Sequence, residues 1–192
     1  MSQRRGGYWG SHMVSWSAVA RRIRVPLGFA FAILYVVLAK PTWRSIILGS
    51  LIAFPGLILR TLASGHLEKN ERLATHGPYA YTRNPLYLGS LILAAGFAVA
   101  ARSWWIAMLM TLMFMAIYLP VIRGEEKYLR EHFPEFDAYA RRVPRLLPRW
   151  SASGSTGTFS RQLYWKHREY NAALGALGLI AVLIAKAIWM AN

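Results

Sequence analysis

Residues 77–89 read Gly77-Pro78-Tyr79-Ala80-Tyr81-Thr82-Arg83-Asn84-Pro85-Leu86-Tyr87-Leu88-Gly89. A turn-forming Gly-Pro pair opens the stretch, aromatic residues and one cation follow, and Pro85 begins a largely apolar run to Ala101. Proline suits the first position of a helix, where its missing N–H would have no partner anyway. The stretch therefore marks a polar loop turning into a membrane helix, and its aromatic and cationic side chains make that entry a ligand-binding mouth.

Working outward, the 192 residues are 55% hydrophobic and carry a formal charge of +15. That is too apolar for an ordinary soluble domain. Apolar runs occur at 25–39, 43–59, 86–101, 104–122 and 172–191. A bilayer core takes about 20 helical residues, so the last run fits well and the others reach that length with flanking residues that snorkel. The chain is thus expected to be all-α, an integral membrane bundle of five crossings with short cytoplasmic amphipathic helices. Tyr35, Trp43, Trp104, Trp105, Tyr118 and Trp189 lie near the ends of the runs, where amphipathic rings prefer the interface.

The cations test this segmentation. The tail holds Arg4, Arg5, Arg21, Arg22 and Arg24; the loop after the second run holds Arg60, Lys69, Arg72 and Arg83; ten more fall between Arg123 and Arg168. The opposite side keeps only Lys40, Arg44, Arg102 and Lys186. The positive-inside rule places the N-terminus in the cytoplasm and the C-terminus outside, at the inner membrane in a bacterium. Basic residues alternating with apolar runs are topology signals facing anionic lipid, which disfavours nucleic acid as a partner. The stretch ending Val37-Leu38-Ala39-Lys40-Pro41 lacks a small-x-small cleavage pattern, so a signal peptide is disfavoured, and Met13 to Arg24 is expected to lie in the interface.

Pro55-Gly56 interrupts the second run and is expected to kink it. The segment 64–73 has room for one or two helical turns. Residues 123–149 show helical apolar spacing on both sides of Pro134, giving two short amphipathic helices against the cytoplasmic ends. Trp150 to Ser160 is a Ser/Gly-rich link, and Gly175 with Gly178 forms an expected close-packing face in the last helix.

Two readings stand beside each other at Asn84. Its side-chain oxygen caps the helix that Pro85 begins, or the helix start and Arg83 together receive an anionic group. Glu125 and Glu126 open the segment after the fourth run; they favour a helix dipole there, or one of them faces a pocket. Adjacent helical residues point about 100° apart, so they are a poor pair for work on one atom. There is no cysteine, and the five histidines show no metal-ligand spacing, so no metal is expected.

Gly-Pro-Tyr, then Arg83-x-Pro85-x-Tyr87-x-Gly89, then Glu125-Glu126, then Arg142-Val143-Pro144-x-Leu146-Leu147-Pro148 resembles the isoprenylcysteine carboxyl methyltransferase family over residues 60–149. The resemblance implies a membrane enzyme that uses S-adenosylmethionine to methylate a lipophilic acceptor, such as a prenylated one, within the bilayer. Carried over residue by residue, it implies cofactor contacts at Glu71, Leu73, Ala74, Tyr79, Asn84, Pro85, Leu86, Tyr87, Glu125 and Glu126. Asn84 stands where the best-known members have histidine, and Val121 where they place a substrate-carboxylate arginine; Arg123 is the nearest replacement. Arg83, Asn84 and Arg123 are the candidate catalytic residues. Carboxyl O-methylation is the expected reaction, since a carboxylate is already ionised and needs no base. Amine N-methylation, a sterol-reductase-like use of NADPH and a scaffold with a dead pocket are the alternatives. One domain is expected, with 1–24 as tail, 60–149 as cofactor-binding core, 150–171 as linker and 172–191 as the last crossing.

Overall fold

The computed structural model describes residues 16–68, 71–149 and 157–191, and every regular element among them is helical. In chain order these are α1 (Trp16–Leu38), α2 (Trp43–Ser64), a 3-10 turn (Gly77–Ala80), α3 (Pro85–Ala101), α4 (Trp104–Met113), a π turn (Phe114–Tyr118), α5 (Leu119–His132), α6 (Phe136–Arg142), α7 (Arg161–Lys166) and α8 (Tyr170–Ala191). Three helices are long and apolar enough to cross a membrane: Trp43–Ser64, the continuous Trp104–His132, and Tyr170–Ala191. Gly28–Leu38 and Pro85–Ala101 are shorter apolar helices, which completes the five runs read from the sequence.

Several expectations are revised. The interfacial segment at Met13 to Arg24 lies partly outside the described residues, and from Trp16 the backbone is helical straight into the first run. The first of the two short helices expected at 123–149 is the polar end of a long one: α4, the π turn and α5 run on without a break, and α6 alone is separate. The π turn has a local cause in Pro120, which offers no N–H to the turn before it, so the helix widens there instead of breaking. Between Leu67 and His76 no helix is sustained among the described residues, but Glu71 N and Arg72 N donate to Glu68 O at 3.2 and 3.3 Å and close a single turn. The Trp150–Ser160 link falls largely outside them.

The bundle is organised by α2 and α3, which share the most extensive helix contact. Added at Gly49 or Gly96, a Cβ would come within 2.5 Å of the carbonyl oxygen of the other. At Gly56 it would meet Gly89 O at 2.7 Å, and at Gly89 it would meet Gly56 O at 2.8 Å. Lipid tails are as apolar as leucine, so helices in a membrane gain from backbone approach more than from burial, and small residues at the seam permit it. Gly175 and Gly178, by contrast, have nothing within 4 Å of a Cβ, so the close-packing face lies on α2 and α3 and not on α8. Pro55-Gly56 leaves α2 a single helix, and Gly56 is used for contact with α3.

The core at the far end joins Tyr35 of α1 and Ala39 just after it, Ile46 of α2, Phe97 and Ala100 of α3, and Leu183 and Ala187 of α8. Tyr35 is buried there and donates to Phe97 O at 2.8 Å, so its hydroxyl is satisfied by a backbone carbonyl and not by the interface. Ser45 Oγ donates to Ala100 O, and Lys186 Nζ donates to Val36 O and Val37 O at 2.6 and 2.9 Å, supplying donors to the last carbonyls of α1. Trp43, Trp104, Trp105 and Trp189 are exposed, as interfacial rings should be.

Gly96→Val is expected to cost about 3 kcal/mol or more, because the contacted atoms are backbone and cannot turn aside. Gly178→Val should leave thermal unfolding in detergent close to wild type. Equal melting of the two variants would refute the α2–α3 seam as the organising contact.

Candidate functional site

At the near end, the turn 77–84 lies between α2, α3 and α6 as a strap. Gly77 adopts φ +57°, which glycine takes without strain, and a Cβ there would strike the His66 ring. The strap is fastened on both edges. Arg83 N donates to Pro144 O at 2.9 Å and Arg149 N to Tyr81 O at 3.0 Å, so the segment 144–149 runs beside it. Tyr139 of α6 donates to Tyr79 O at 2.7 Å, and buried Thr82 donates to Arg145 O at 3.1 Å.

Beneath the strap sits the carboxylate of Glu126, 6% exposed at its side chain. Arg83 Nε donates to its Oε1 at 3.0 Å; Arg145 Nε and Nη2 donate to its Oε2 at 2.9 and 2.7 Å. Asn84 Nδ2 completes the set, donating to Glu126 Oε1 at 3.2 Å and to Arg145 O at 3.1 Å. Both neighbours of that nitrogen are acceptors, so the amide orientation is fixed by chemistry. Asn84 therefore occupies the N-cap position without capping: its side chain makes no bond to the first turn of α3 and is spent on Glu126. Arg83 Nη1 also donates to Ala140 O and Val143 O, at 2.7 and 2.9 Å, so Nε and Nη1 are committed to protein partners.

Glu125, one position earlier, turns the other way, as the 100° step demands. Tyr87 donates to its Oε1 at 2.9 Å, and Tyr87 packs edge-on against Tyr118, which stacks on Phe114. Val121 is buried beside Ile117 and next to Tyr87, so the place expected to hold an arginine in relatives is apolar. Tyr79 is buried, and its hydroxyl lies within electrostatic reach of Tyr139, Glu125, Glu169 and Tyr87. The Tyr87–Glu125 hydrogen bond and buried Tyr79 are the polar groups gathered at this end.

The electrostatics follow from the packing. Burial raises the Tyr79 hydroxyl far above the usual tyrosine range, and the nearby Tyr139 and Glu125 add to it, so it remains a neutral donor. Burial likewise raises Tyr139. In the polar end of α5, beyond the apolar run, burial opposes ionisation of Glu126, but the hydrogen bonds from Arg145 and Arg83 outweigh it and hold the carboxyl below its usual range. The same bond from Glu126 raises Arg145.

The remaining expected residues divide. Pro85 is buried at the first position of α3, and Leu86 contributes its carbonyl oxygen to Arg60 and Ser90. Leu73 packs on Phe136, Tyr139 and Val143, holding α6. Ala74 is half-buried in the loop before the strap. Glu71 is exposed and pairs with Lys166, and Arg123 is exposed on α5; neither is gathered with Tyr79 and Tyr87. Sequence reasoning passed over Arg145, the open position of the quoted Arg142–Pro148 motif, and Tyr139, three residues before that motif. It also passed over Arg60 and Glu169, whose signal was a lone cation ending one apolar run and a lone carboxylate preceding another.

With this geometry in hand, similarity to known proteins is specific. Residues 61–135 match the phospholipid methyltransferase family model. The nickel-cobalt-cadmium resistance protein NccN of Alcaligenes xylosoxydans xylosoxydans is 35% identical over 118 residues, covering 62% of this chain and 55% of that protein. The cobalt-zinc-cadmium resistance protein CzcN of Cupriavidus metallidurans is 34% identical over 116 residues, covering 60% and 54%. The protein-S-isoprenylcysteine O-methyltransferase of Schizosaccharomyces pombe is 32% identical over 82 residues, covering 42% and 35%. The chain spans about half the length of the first two relatives. No solved structure matches it. Among the described residues no group of three His, Asp or Glu is placed to hold a metal ion.

Glu126→Gln leaves two arginines facing a neutral amide and is expected to destabilise the fold by about 3 kcal/mol. The wild-type contribution is complete above the ordinary glutamate value of 4.5 and is lost as pH falls through the lower folded value. Thermal unfolding in detergent should therefore show a drop in stability below that pH in wild type and a flatter profile in the variant. A wild-type profile as flat as the variant's would contradict the clamp.

Proposed function

We propose that this chain, which carries a phospholipid methyltransferase family segment at residues 61–135, uses S-adenosylmethionine to methylate a lipophilic acceptor, most specifically the carboxyl group of an isoprenylcysteine-like or other lipid. The observation that carries the reading is the Tyr87–Glu125 bond beside buried Tyr79, at the membrane-facing end of α3 and held over the Glu126 clamp. A membrane methyltransferase is supported by the family match and the apolar helices.

The residues fit the cofactor. The Glu125 carboxylate suits ribose hydroxyls or a cationic group, Tyr79 and Tyr87 supply aromatic faces and hydroxyls, and cation–aromatic attraction adds to the charge. Pro85 and Leu86 fix where α3 begins, so Tyr87 meets Glu125 at a set height. When bound, the cofactor supplies a sulfonium methyl group: the acceptor oxygen forms the new O–CH3 bond as the S–CH3 bond breaks and its electron pair stays on sulfur. The protein's part is placement. Tyr87 holds Glu125 in place, and exclusion of water around a bound acceptor would leave its oxygen poorly solvated and close. Asn84 cannot take up a proton and is already bonded to Glu126, so general-base work falls to no residue at that position. A carboxylate acceptor needs none.

The reductase alternative loses support at Arg83. A nicotinamide cofactor's phosphate needs clustered free cations, whereas Arg83 is spent on Glu126 and two carbonyls, and Arg123, Arg141 and Arg142 are exposed on separate faces. Tyr79 and Glu125 lie in the basic loops and Tyr87 in the first turn of α3, which supports the cytoplasmic placement of this end, with the N-terminus on the same side and the C-terminus outside. The clamp joins residues 83, 126 and 145, which supports reading 60–149 as one cofactor-binding core inside one domain.

Calorimetry on the purified chain is expected to show binding of S-adenosylmethionine and of its demethylated product, and none of NADPH. Tyr87→Phe removes a hydrogen bond to a charged group and should weaken both by about tenfold; Glu125→Ala should weaken them further. Binding of NADPH alone, or affinity indifferent to both variants, overturns the assignment.

A further inference from the structure

Just past the polar end of α2, His66 faces two carbonyl oxygens. Its Nδ1 lies 2.7 Å from Leu62 O, one turn back along the chain, and its Nε2 lies 3.1 Å from Gly157 O, in the segment that leads into α7. Turning the ring over would set carbon atoms against both oxygens, so the orientation follows from the chemistry. A carbonyl oxygen only accepts, and a neutral imidazole has one N–H. Either neutral tautomer therefore satisfies one oxygen and points a lone pair at the other. The imidazolium, with a proton on each nitrogen, donates to both.

The ring has little room to avoid this choice. A Cβ on Gly77 would lie 2.6 Å from His66 Cδ2, and one on Gly157 would lie 3.0 Å from the same atom, so the strap and the segment before α7 both press on the ring through glycines. Phe159 stands edge-on to it, centroids 6.2 Å apart, and rests on Gly65, where a Cβ would strike the Phe159 ring. Ser160 N donates to Gly65 O at 2.9 Å. His66 also lines an apolar cavity of about 590 Å³ together with Leu59 and Leu62 of α2 and Pro78 and Tyr81 of the strap. The end of α2, the strap and the segment 157–160 thus meet at one imidazole.

We propose that His66 is a proton-operated latch: doubly protonated, it ties the segment 157–160 to the end of α2, and neutral, it leaves that segment held by Ser160 and Phe159 alone. Histidine is the side chain that makes such a change between about pH 5 and 8. The residues against the ring, Leu62, Gly77, Gly157 and Phe159, carry no charge. The charged and titratable groups around them are His76, whose Cβ a Gly157 Cβ would meet at 2.7 Å, Glu68 two residues on, Tyr81 in the cavity wall, Tyr164 beside Phe159, and Arg161 two residues past it. His76 and Arg161 oppose a charge on His66, and Glu68 favours it. His167 differs in kind: its Nε2 meets one carbonyl, Leu67 O at 2.9 Å, which a neutral ring serves. The latch is independent of the methyl-transfer reading.

Hydrogen–deuterium exchange tests it on the full-length chain in detergent, read by mass spectrometry on peptides spanning residues 157–164. The amides of Ser160 and Tyr164, which donate to Gly65 O and Ser160 O, are the reporters. After correction for the chemical exchange rate, wild type is expected to be about tenfold better protected at about pH 6 than at about pH 8, since a hydrogen bond from a charged donor is gained. His66→Gln, whose amide keeps the same donors at both pH values, should show equal protection at the two. His76→Gln and His167→Gln should keep the wild-type difference. Equal protection of wild type at both pH values, a difference that survives in His66→Gln, or its loss in either of the other variants overturns the latch. If His66→Gln does not fold, wild type with His76→Gln and His167→Gln decides by elimination.

Discussion

A single buried carboxylate, Glu126, sets the geometry on which the near end of the molecule depends. Its two oxygens receive Arg83 from the strap, Arg145 from the segment after α6, and the Asn84 amide from the start of α3. Two pieces of chain far apart in sequence, residues 83–84 and residue 145, are thereby registered to one turn of α5. Charge-assisted hydrogen bonds of this kind are strong when desolvated and costly when half made, so the arrangement tends to form completely or not at all. Glu125 inherits its direction from this. With its neighbour fixed, the helix step aims it at Tyr87.

The second constraint is the α2–α3 seam. Gly49 against Gly96 and Gly56 against Gly89 pin two backbones together at points seven residues, or about 10 Å, apart along each helix. The same closeness carries Arg60 across α3 to Ser90 and Glu169, so packing within the apolar region determines which cation meets that carboxylate. Seam and ion pair share one glycine, Gly89.

Much of this was legible in the sequence. The apolar runs, Pro85 at a helix start, the strap beginning at Gly77-Pro78 and the break near Pro134 are local signals, and local signals survive into the structure. The family expected from the two motif blocks is the one that similarity shows for residues 61–135. What was illegible is pairing over distance. Asn84 reads as a cap because capping is decided within four residues, whereas its actual partners are 42 and 61 positions away. Glycine spacing cannot say which helix will be met, so Gly175 and Gly178 looked as suitable as Gly89 and Gly96. Of the two glutamates, the sequence showed that they diverge and left open which one would be locked by arginines.

Lys186, near the end of α8, donates to the exposed carbonyls that close α1. The closing carbonyls of α1 thus draw a donor from 150 positions further along the chain. Until α8 stands beside α1, Val36 O and Val37 O lack that ammonium, so two spans distant in sequence are coupled in how they settle.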